Sequence, residues 1–299
     1  MKYNNNDDLL NILKTKKVII KDYNRALDCI ERYSYYSIIG KYKVAFKDQN
    51  HRYLEGTTFE EIYALYDFDQ NIECIFLKYI LKIERLIKTK ITDLVLEKYG
   101  IKNYLNIQCF DPDANINKVN DFIDYISKVI NSNYYSNPDI KFFIDHYKCV
   151  PPFVLKNILT FGSISKYYEL MKQNDRQKIS RQYHLSDKTL KIILINFTNI
   201  RNICAHGNVL YDYKSKYRIK ISELGISYRN KDALTDLYII VRCMKLFLDE
   251  QDYREFIELF YKELEILEKQ LHTINITEIL KIIGFNIEPR SSNHTGLLK

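Results

Sequence analysis

One stretch does most to limit what this chain can become. Between Asp69 and Tyr99, Ile72, Ile75, Phe76, Tyr79, Ile80, Ile83, Leu86, Ile87, Leu94 and Val95 recur at three- and four-residue spacing, and Gly100 follows. That period predicts a long helix with a continuous apolar stripe. A stripe of such length is buried only if several other helices pack along it, so the expected class is all-α, a helical bundle. Five prolines and eight glycines in 299 residues agree with long helices and short connections.

Shorter helical patterns flank it. Asp7 and Asp8 can cap Leu9 to Lys16, and Asp22 to Ser37 carries Tyr23, Ala26, Leu27, Ile30 and Tyr33 on one face, with Gly40 as its terminator. Thr58-Phe59-Glu60-Glu61 is a capping box that starts a helix over Phe59 to Tyr66. Asn117 to Ile130 reads as a weaker helix between turn-like segments at 103–121 and 131–139. Pro151-Pro152 opens a helix ending at Phe161-Gly162, Ser163 can cap Ile164 to Lys172, and Ser186 can cap a helix with an apolar face over Lys188 to Ile200. Alternation in Tyr217 to Ile221 with Gly225 beyond it fits a small β-hairpin insert near 217–229. Asp232 to Leu248 and Tyr253 to Leu271 are amphipathic, and Gly284 to Lys299 reads as a loosely held tail. The expected division is an N-terminal helical extension over 1–55, a helical domain over 56–275 and a C-terminal tail over 276–299.

A net charge of +7 with pI near 8.8 permits a nucleic-acid partner, while lysine-rich solvated faces account for it equally well. The six cysteines are scattered singly, without a C-x-x-C pair, so metal-site spacing is missing and reduced, mostly buried thiols are expected. The carboxylate pairs Asp111/Asp113 and Asp67/Asp69 fall in turn-like sequence and read as helix caps rather than metal ligands. No phosphate-binding glycine loop of the nucleotide-dependent enzymes is present, and no cofactor is expected. No apolar run approaches a membrane span and the N-terminus has no signal core, so the expectation is a cytoplasmic protein without a membrane partner.

The chemistry concentrates in Arg201-Asn202-Ile203-Cys204-Ala205-His206. A guanidinium binds phosphate through two parallel hydrogen bonds, and imidazole exchanges protons near neutrality. Together they can cleave an RNA backbone without a metal. Of the six histidines, only His206 follows an arginine across a gap of four to six residues. Arg201 also interrupts the face that Leu190, Ile193, Leu194, Phe197 and Ile200 keep apolar. The bland alternative is that Arg201 pairs within the molecule, with Glu84, and that His206 serves the helix C-terminus. On a continuous helix Asn202 and His206 share a face, whereas Arg201 and His206 lie ~140° apart. Lys78, Lys82, Arg85 and Lys88 form a candidate RNA-binding stripe on the polar side of the long helix, with a solvated face as its plainer reading. Tyr33, Tyr35 and Tyr36 can stack on bases or pack in the core.

These residues resemble a known family. The string RNICAH resembles the R-N-x-x-A-H signature of HEPN ribonucleases, and the chain around it resembles the AbiD/AbiF-like abortive-infection proteins that share that domain. Tyr35-Tyr36-Ser37-Ile38-Ile39-Gly40-Lys41-Tyr42 looks like the group's Y-Y-R-L-S-G-Y segment. Phe59 to Asp69 matches F-E-x-I-x-x-L-Y-x-F-D, and Ile83-Glu84-Arg85 with Lys88-Thr89 resembles I-E-x-x-x-R-T. Pro151-Pro152-Phe153 with Leu159 to Ser165 matches P-x-W followed by L-T-F-G-x-L-S. The chain departs from the group after His206, where Gly207 to Asp212 lacks the second histidine and second arginine of A-H-H-x-R-L-W-N. The resemblance implies a HEPN-type helical bundle and a homodimer with facing R-x4-H motifs. It also implies an endoribonuclease toxin of phage defence, with Arg201, Asn202 and His206 as catalytic residues. Some members are encoded beside a small structured RNA, which suggests an RNA antitoxin and would make RNA both substrate and antitoxin. The rival reading is a non-catalytic helical RNA-binding or scaffold protein.

Overall fold

The computed structural model describes residues 5–226 and 234–285. It is about 70% helical, with one small two-stranded pairing, so the all-α expectation holds. Its spine is α3 (Phe59–Tyr99), a single helix of 41 residues, about 60 Å long by helical rise. The capping box at Thr58 and the apolar stripe therefore belong to one element, and the expected break near Asp67 is absent. Asp67 and Asp69 lie inside this helix rather than in a turn, the first exposed and the second buried, so they form no carboxylate pair.

Ahead of α3 come α1 (Asn6–Thr15) and α2 (Tyr23–Tyr33). Asn5, not Asp7 or Asp8, caps α1: its side chain accepts from the Asp8 N–H, and Asp8 answers on the Asn5 N–H. Ser34 turns to a left-handed φ of 70°, which stops α2 before Ser37, and a π turn follows over Tyr36–Gly40. Past α3 lie α4 (Ile116–Asn133), α5 (Pro138–Tyr147), α6 (Pro152–Ile158), α7 (Phe161–Leu170) and α8 (Gln173–Ser180). Thr160, not Ser163, caps α7: its hydroxyl accepts from the Ser163 N–H at 3.1 Å, so Gly162 lies in the first turn of a helix instead of ending one. Of these helices, α5 and α8 carry too little apolar periodicity to be read from sequence.

The last group is α9 (Asp187–His206), α10 (Leu237–Met244), α11 (Glu250–Glu268) and α12 (Ile276–Ile283). The strand pairing joins β1 (Lys214–Ser215) to β2 (Thr235–Asp236), antiparallel. It flanks the segment expected to alternate, where Ile221–Leu224 instead forms a 3-10 turn; the 227–229 part of that expectation lies outside the described residues. The start of the expected tail is also ordered. Ile276, Ile279, Leu280 and Ile283 of α12 are buried, and Gly284 approaches Asp236 so closely that a Cβ would fall within 2.3 Å of its carboxyl carbon. The rest of the tail lies outside the described residues.

The core is one cluster running from Leu10 to Phe285, so residues 5–55 and 276–285 pack on the same interior as the central helices. Against α3 lie α11, through Phe76, Phe256 and Phe260, and α9, through Leu190, Ile193, Leu194, Phe197 and Ile200. Phe76 and Phe256 meet edge to face at 5.1 Å.

Buried Glu61 joins the start of α3 to the α11–α12 connection. Besides closing the capping box, its carboxylate accepts from the His272 N–H at 2.7 Å and from the Thr273 N–H and hydroxyl at 2.5 and 2.8 Å. Burial alone would raise its pKa, but the donors of Thr273, His272 and Thr58 outweigh it and hold the carboxyl below its ordinary value. Glu61→Ala strands those backbone donors and should destabilise the protein by roughly 2–4 kcal/mol, read by urea denaturation. A loss under half a kcal/mol would mean that water replaces the carboxylate at no cost.

Candidate functional site

The site is built at the C-terminal end of α9. Ser186 starts this helix by accepting from the Thr189 N–H at 3.1 Å, and Gly207 ends it with φ 60° and ψ 44°, the left-handed cap that glycine adopts without strain. Ile200 is fully buried, Arg201 is half-buried, and Asn202 and His206 are exposed. Because the helix is regular through His206, Asn202 and His206 project from one face, and Arg201 points ~140° away toward α3. One chain therefore brings Asn202 and His206 together, but not Arg201 and His206.

Arg201 Nε lies 3.8 Å from Glu84 Oε2, an ion pair without a hydrogen bond, and both atoms are buried and unpartnered. Glu84 has a nearer partner in Lys88, whose ammonium sits 2.7 Å from its other oxygen and also donates to the Leu159 carbonyl at 2.6 Å. So Glu84 steers Arg201 from behind while Lys88 takes most of its charge. The Arg201 side chain is 36% exposed, and its guanidinium makes no hydrogen bond among the described residues. The expected pair with Glu84 therefore exists, without a hydrogen bond to close it.

Asp69, read from the sequence as a helix cap, and Asn196 and Lys41, to which the sequence assigned no role, fix the segment that follows His206. Asp69, wholly buried on α3, accepts from the Leu210 and Tyr211 N–H groups at 3.0 and 2.7 Å and from the Tyr42 hydroxyl at 2.7 Å. Asn196, wholly buried on α9, donates to the Ile192 and Tyr217 carbonyls and accepts from the Tyr213 hydroxyl at 2.8 Å. Lys41 donates to the Gly207 carbonyl at 3.2 Å, placing a cation at the negative end of the α9 dipole. Tyr42 also stacks on Tyr211, with ring centroids 5.8 Å apart. The signal was present in Asp69: a carboxylate inside an apolar stripe calls for a buried partner.

Glu73 sits one turn beyond Asp69 on the same face. Burial, and then the charge of Asp69, push its pKa up to about 8, opposed by Lys41 and by a 3.0 Å hydrogen bond from Gln70. Burial pushes Asp69 up to about 6, against the donors of Tyr42, Leu210 and Tyr211. The Cys204 thiol on α9 faces both carboxylates, and burial with their charges drives its pKa far upward, so it stays a protonated thiol rather than a nucleophile. All six cysteines are free; Cys29 and Cys243 are buried, but Cys74 is exposed, so the expectation of mostly buried thiols holds only for those two.

The expected RNA-binding stripe is largely paired within the molecule. Lys78 binds Glu255 at 2.7 Å, Lys82 binds Asp252, and Lys88 binds Glu84, which leaves Arg85 exposed and unpaired among the described residues. The stripe and the acidic face of α11 thus form an interhelix seam. Asp111 is held by Arg176 at 2.8 Å and by its own turn. Tyr33 packs on Tyr66 at 5.6 Å, while Tyr36 is 66% exposed on the π turn that leads to Lys41. No group of three or more His, Cys, Asp or Glu with metal-holding geometry occurs among the described residues, and no helix there is long and apolar enough to cross a membrane.

Residues 28–212 match the model of the Abi-like protein family, a span that takes in Asp69, Glu73, Glu84 and the whole Arg201–His206 segment. The chain belongs to this abortive-infection family. No curated protein and no solved structure matches the chain. Within this Abi-like protein, the matched region ends at Asp212, directly after the backbone that Asp69 anchors.

The raised carboxylates give the family core a pH signature. Folding lifts Glu73 from its ordinary 4.5 to about 8, so the protonated form is favoured in the native state. The resulting stabilisation is full below pH 4.5, declines as pH rises and is lost above about 8; Asp69 adds the same trend between 3.8 and about 6. Glu73→Gln should therefore gain stability relative to the parent protein as pH goes from about 5 to about 8, measured by thermal melts. A difference that stays constant over that range would show that Glu73 titrates normally.

Proposed function

We propose that this chain is a metal-independent endoribonuclease of the HEPN type, acting as a toxin in abortive infection. Membership of an abortive-infection family suggests a part in phage defence. The observation that carries the enzymatic reading is the state of Arg201. A guanidinium emerges at the end of an otherwise buried helical face, steered by Glu84 at 3.8 Å but not hydrogen-bonded to it, five residues from an exposed histidine. A purely structural arginine would close its hydrogen bonds on its carboxylate partner.

In this reading Arg201 clamps the scissile phosphate and stabilises the charge that develops on it. His206 takes the proton of the ribose 2′-hydroxyl, whose oxygen attacks phosphorus as the bond to the 5′-oxygen breaks. A second imidazole returns a proton to that leaving oxygen. The products are a 2′,3′-cyclic phosphate and a 5′-hydroxyl, and Asn202, on the His206 face, orients the attacking or leaving group. The chemistry needs no cofactor.

The helical geometry makes a homodimer part of the proposal. One chain offers a single histidine and holds Arg201 on a different face, so two copies meeting at the ends of α9 supply the acid, the base and the clamps. A small structured RNA held in the same complex would silence the enzyme in a growing cell. The rival, a non-catalytic RNA scaffold, needs no exposed histidine at the end of α9.

Arg201→Ala and His206→Ala should each lower RNA cleavage by about 10²–10⁴-fold with unchanged far-ultraviolet circular dichroism. Glu84 keeps Lys88 as its partner, so the arginine substitution leaves no unpaired buried charge. Retained cleavage in either variant, or none in the parent protein freed of bound RNA, favours the scaffold. Sedimentation should give a dimer; a monomer fully active at nanomolar concentration would refute the shared site.

A further inference from the structure

A second basic feature lies in the N-terminal part of the fold. A cleft of about 930 Å³ opens between the end of α1 and the hairpin-like turn that precedes α3, lined by Lys16, Lys17, Lys47, His51, Arg52 and Tyr53. The only carboxylates on its wall are Asp48 and Glu55. Asp48 is already engaged, since one of its oxygens accepts from the Asn50 and Arg52 N–H groups at 2.9 Å each and so closes the turn. Among the described residues none of Lys16, Lys17, Lys47 and Arg52 forms an ion pair. Elsewhere in the fold lysines reach carboxylates readily, as Lys78, Lys82, Lys88 and Lys98 do.

The arrangement is held by the backbone rather than by chance rotamers. Lys47 pairs with Tyr53 across an antiparallel bridge, the Leu54 N–H donates to the Phe46 carbonyl at 3.0 Å, and the Lys47 ammonium lies 4.9 Å above the Tyr53 ring. Lys17 and His51 both occupy left-handed backbone, with φ 65° and 61°, positions where glycine would be the unstrained choice. Lys16 and Lys17 follow the C-terminus of α1, where the helix dipole favours a cation. That accounts for two of the charges and not for Lys47 and Arg52, which come from a separate segment. Burial, and then the charges of Lys43 and Lys16, lower the Lys47 pKa despite Asp48.

We propose that this cleft binds a ligand carrying closely spaced phosphates, with Lys47 and Arg52 as its main contacts and Tyr53 as its floor. Such a ligand supplies the missing counter-charge. The chemistry has two sources, a free nucleoside polyphosphate or the triphosphorylated 5′ end of an RNA. The proposal is independent of cleavage at His206, because binding is measured without turnover.

The experiment uses the full-length His206→Ala protein, with inorganic tripolyphosphate as first probe and thermal shift and calorimetry as readouts. Tripolyphosphate should raise the melting temperature in a saturable way, with affinity falling as salt rises. Lys47→Glu with Arg52→Glu should weaken binding by at least ~10-fold. Lys16→Ala with Lys17→Ala, two exposed positions, should weaken it less and guards against misfolding of the first variant. Adenosine triphosphate competing as well as a 5′-triphosphorylated RNA of ten nucleotides assigns a free nucleotide. Competition by that RNA alone, with the 5′-hydroxyl RNA inert, assigns an RNA end. Absence of saturable tripolyphosphate binding at low salt, or binding that neither pair of substitutions changes, overturns the proposal.

Discussion

The 41-residue helix α3 draws most of its stability from the covering of its apolar stripe along its length. In this protein that covering decides everything else. The amino-terminal half of α3 is flanked by α11 and the N-terminal segments, and its later turns by α6, α7 and α9. Where the stripe is interrupted by charge, the interruption ties a neighbour. Glu61 captures the connection to α12, Asp69 captures the backbone after α9, Glu84 captures Lys88 and faces Arg201, and Lys98 with Tyr99 captures Asp175. For Glu61 and Asp69 most of the donors come from distant segments, while Glu84 is held within α3 by Lys88.

The long helix and the arginine–histidine segment were legible in the sequence because each leaves a local mark. A three-to-four-residue period in aliphatics and aromatics is a property of one segment, and so is a capping threonine with its glutamate. Helices α5 and α8 left weaker marks, since their polar faces dominate and their few apolar residues fill gaps set by other helices. The continuity of α3 through Asp67 was missed because aspartates in series read as a cap, whereas here Asp69 faces donors that lie over 140 residues away. Ser163 was the expected cap, and the backbone geometry gives that place to Thr160, three residues earlier.

The candidate residues are marked in the sequence by type, and so are the ~140° offset of Arg201 from His206 and its pairing with Glu84. Arg201, Asn202 and His206 stand out by residue type, yet what holds them comes from elsewhere: Glu84 from the middle of α3, Lys41 from the π turn and Asp69 from the early turns of the spine. The lysines of the long helix looked available because their acidic partners on α11 lie about 170 residues away in sequence. Charge read along one helix reports neither its pairing nor its freedom. The freer cations lie instead in short irregular segments, at Lys16, Lys17, Lys47 and Arg52, where no period draws attention to them.

The anchoring of the chain after Gly207 carries one more consequence. Leu210, Tyr211, Tyr213 and Tyr217 are each fastened to buried side chains of α3 or α9 before any ligand arrives. The end of α9 therefore has little room to fray, and His206 cannot be withdrawn by melting the last helical turn. On the proposed nuclease reading, a site anchored in this way would be restrained from outside the chain, by something that covers the helix end or keeps two such ends apart, rather than by refolding of the end itself.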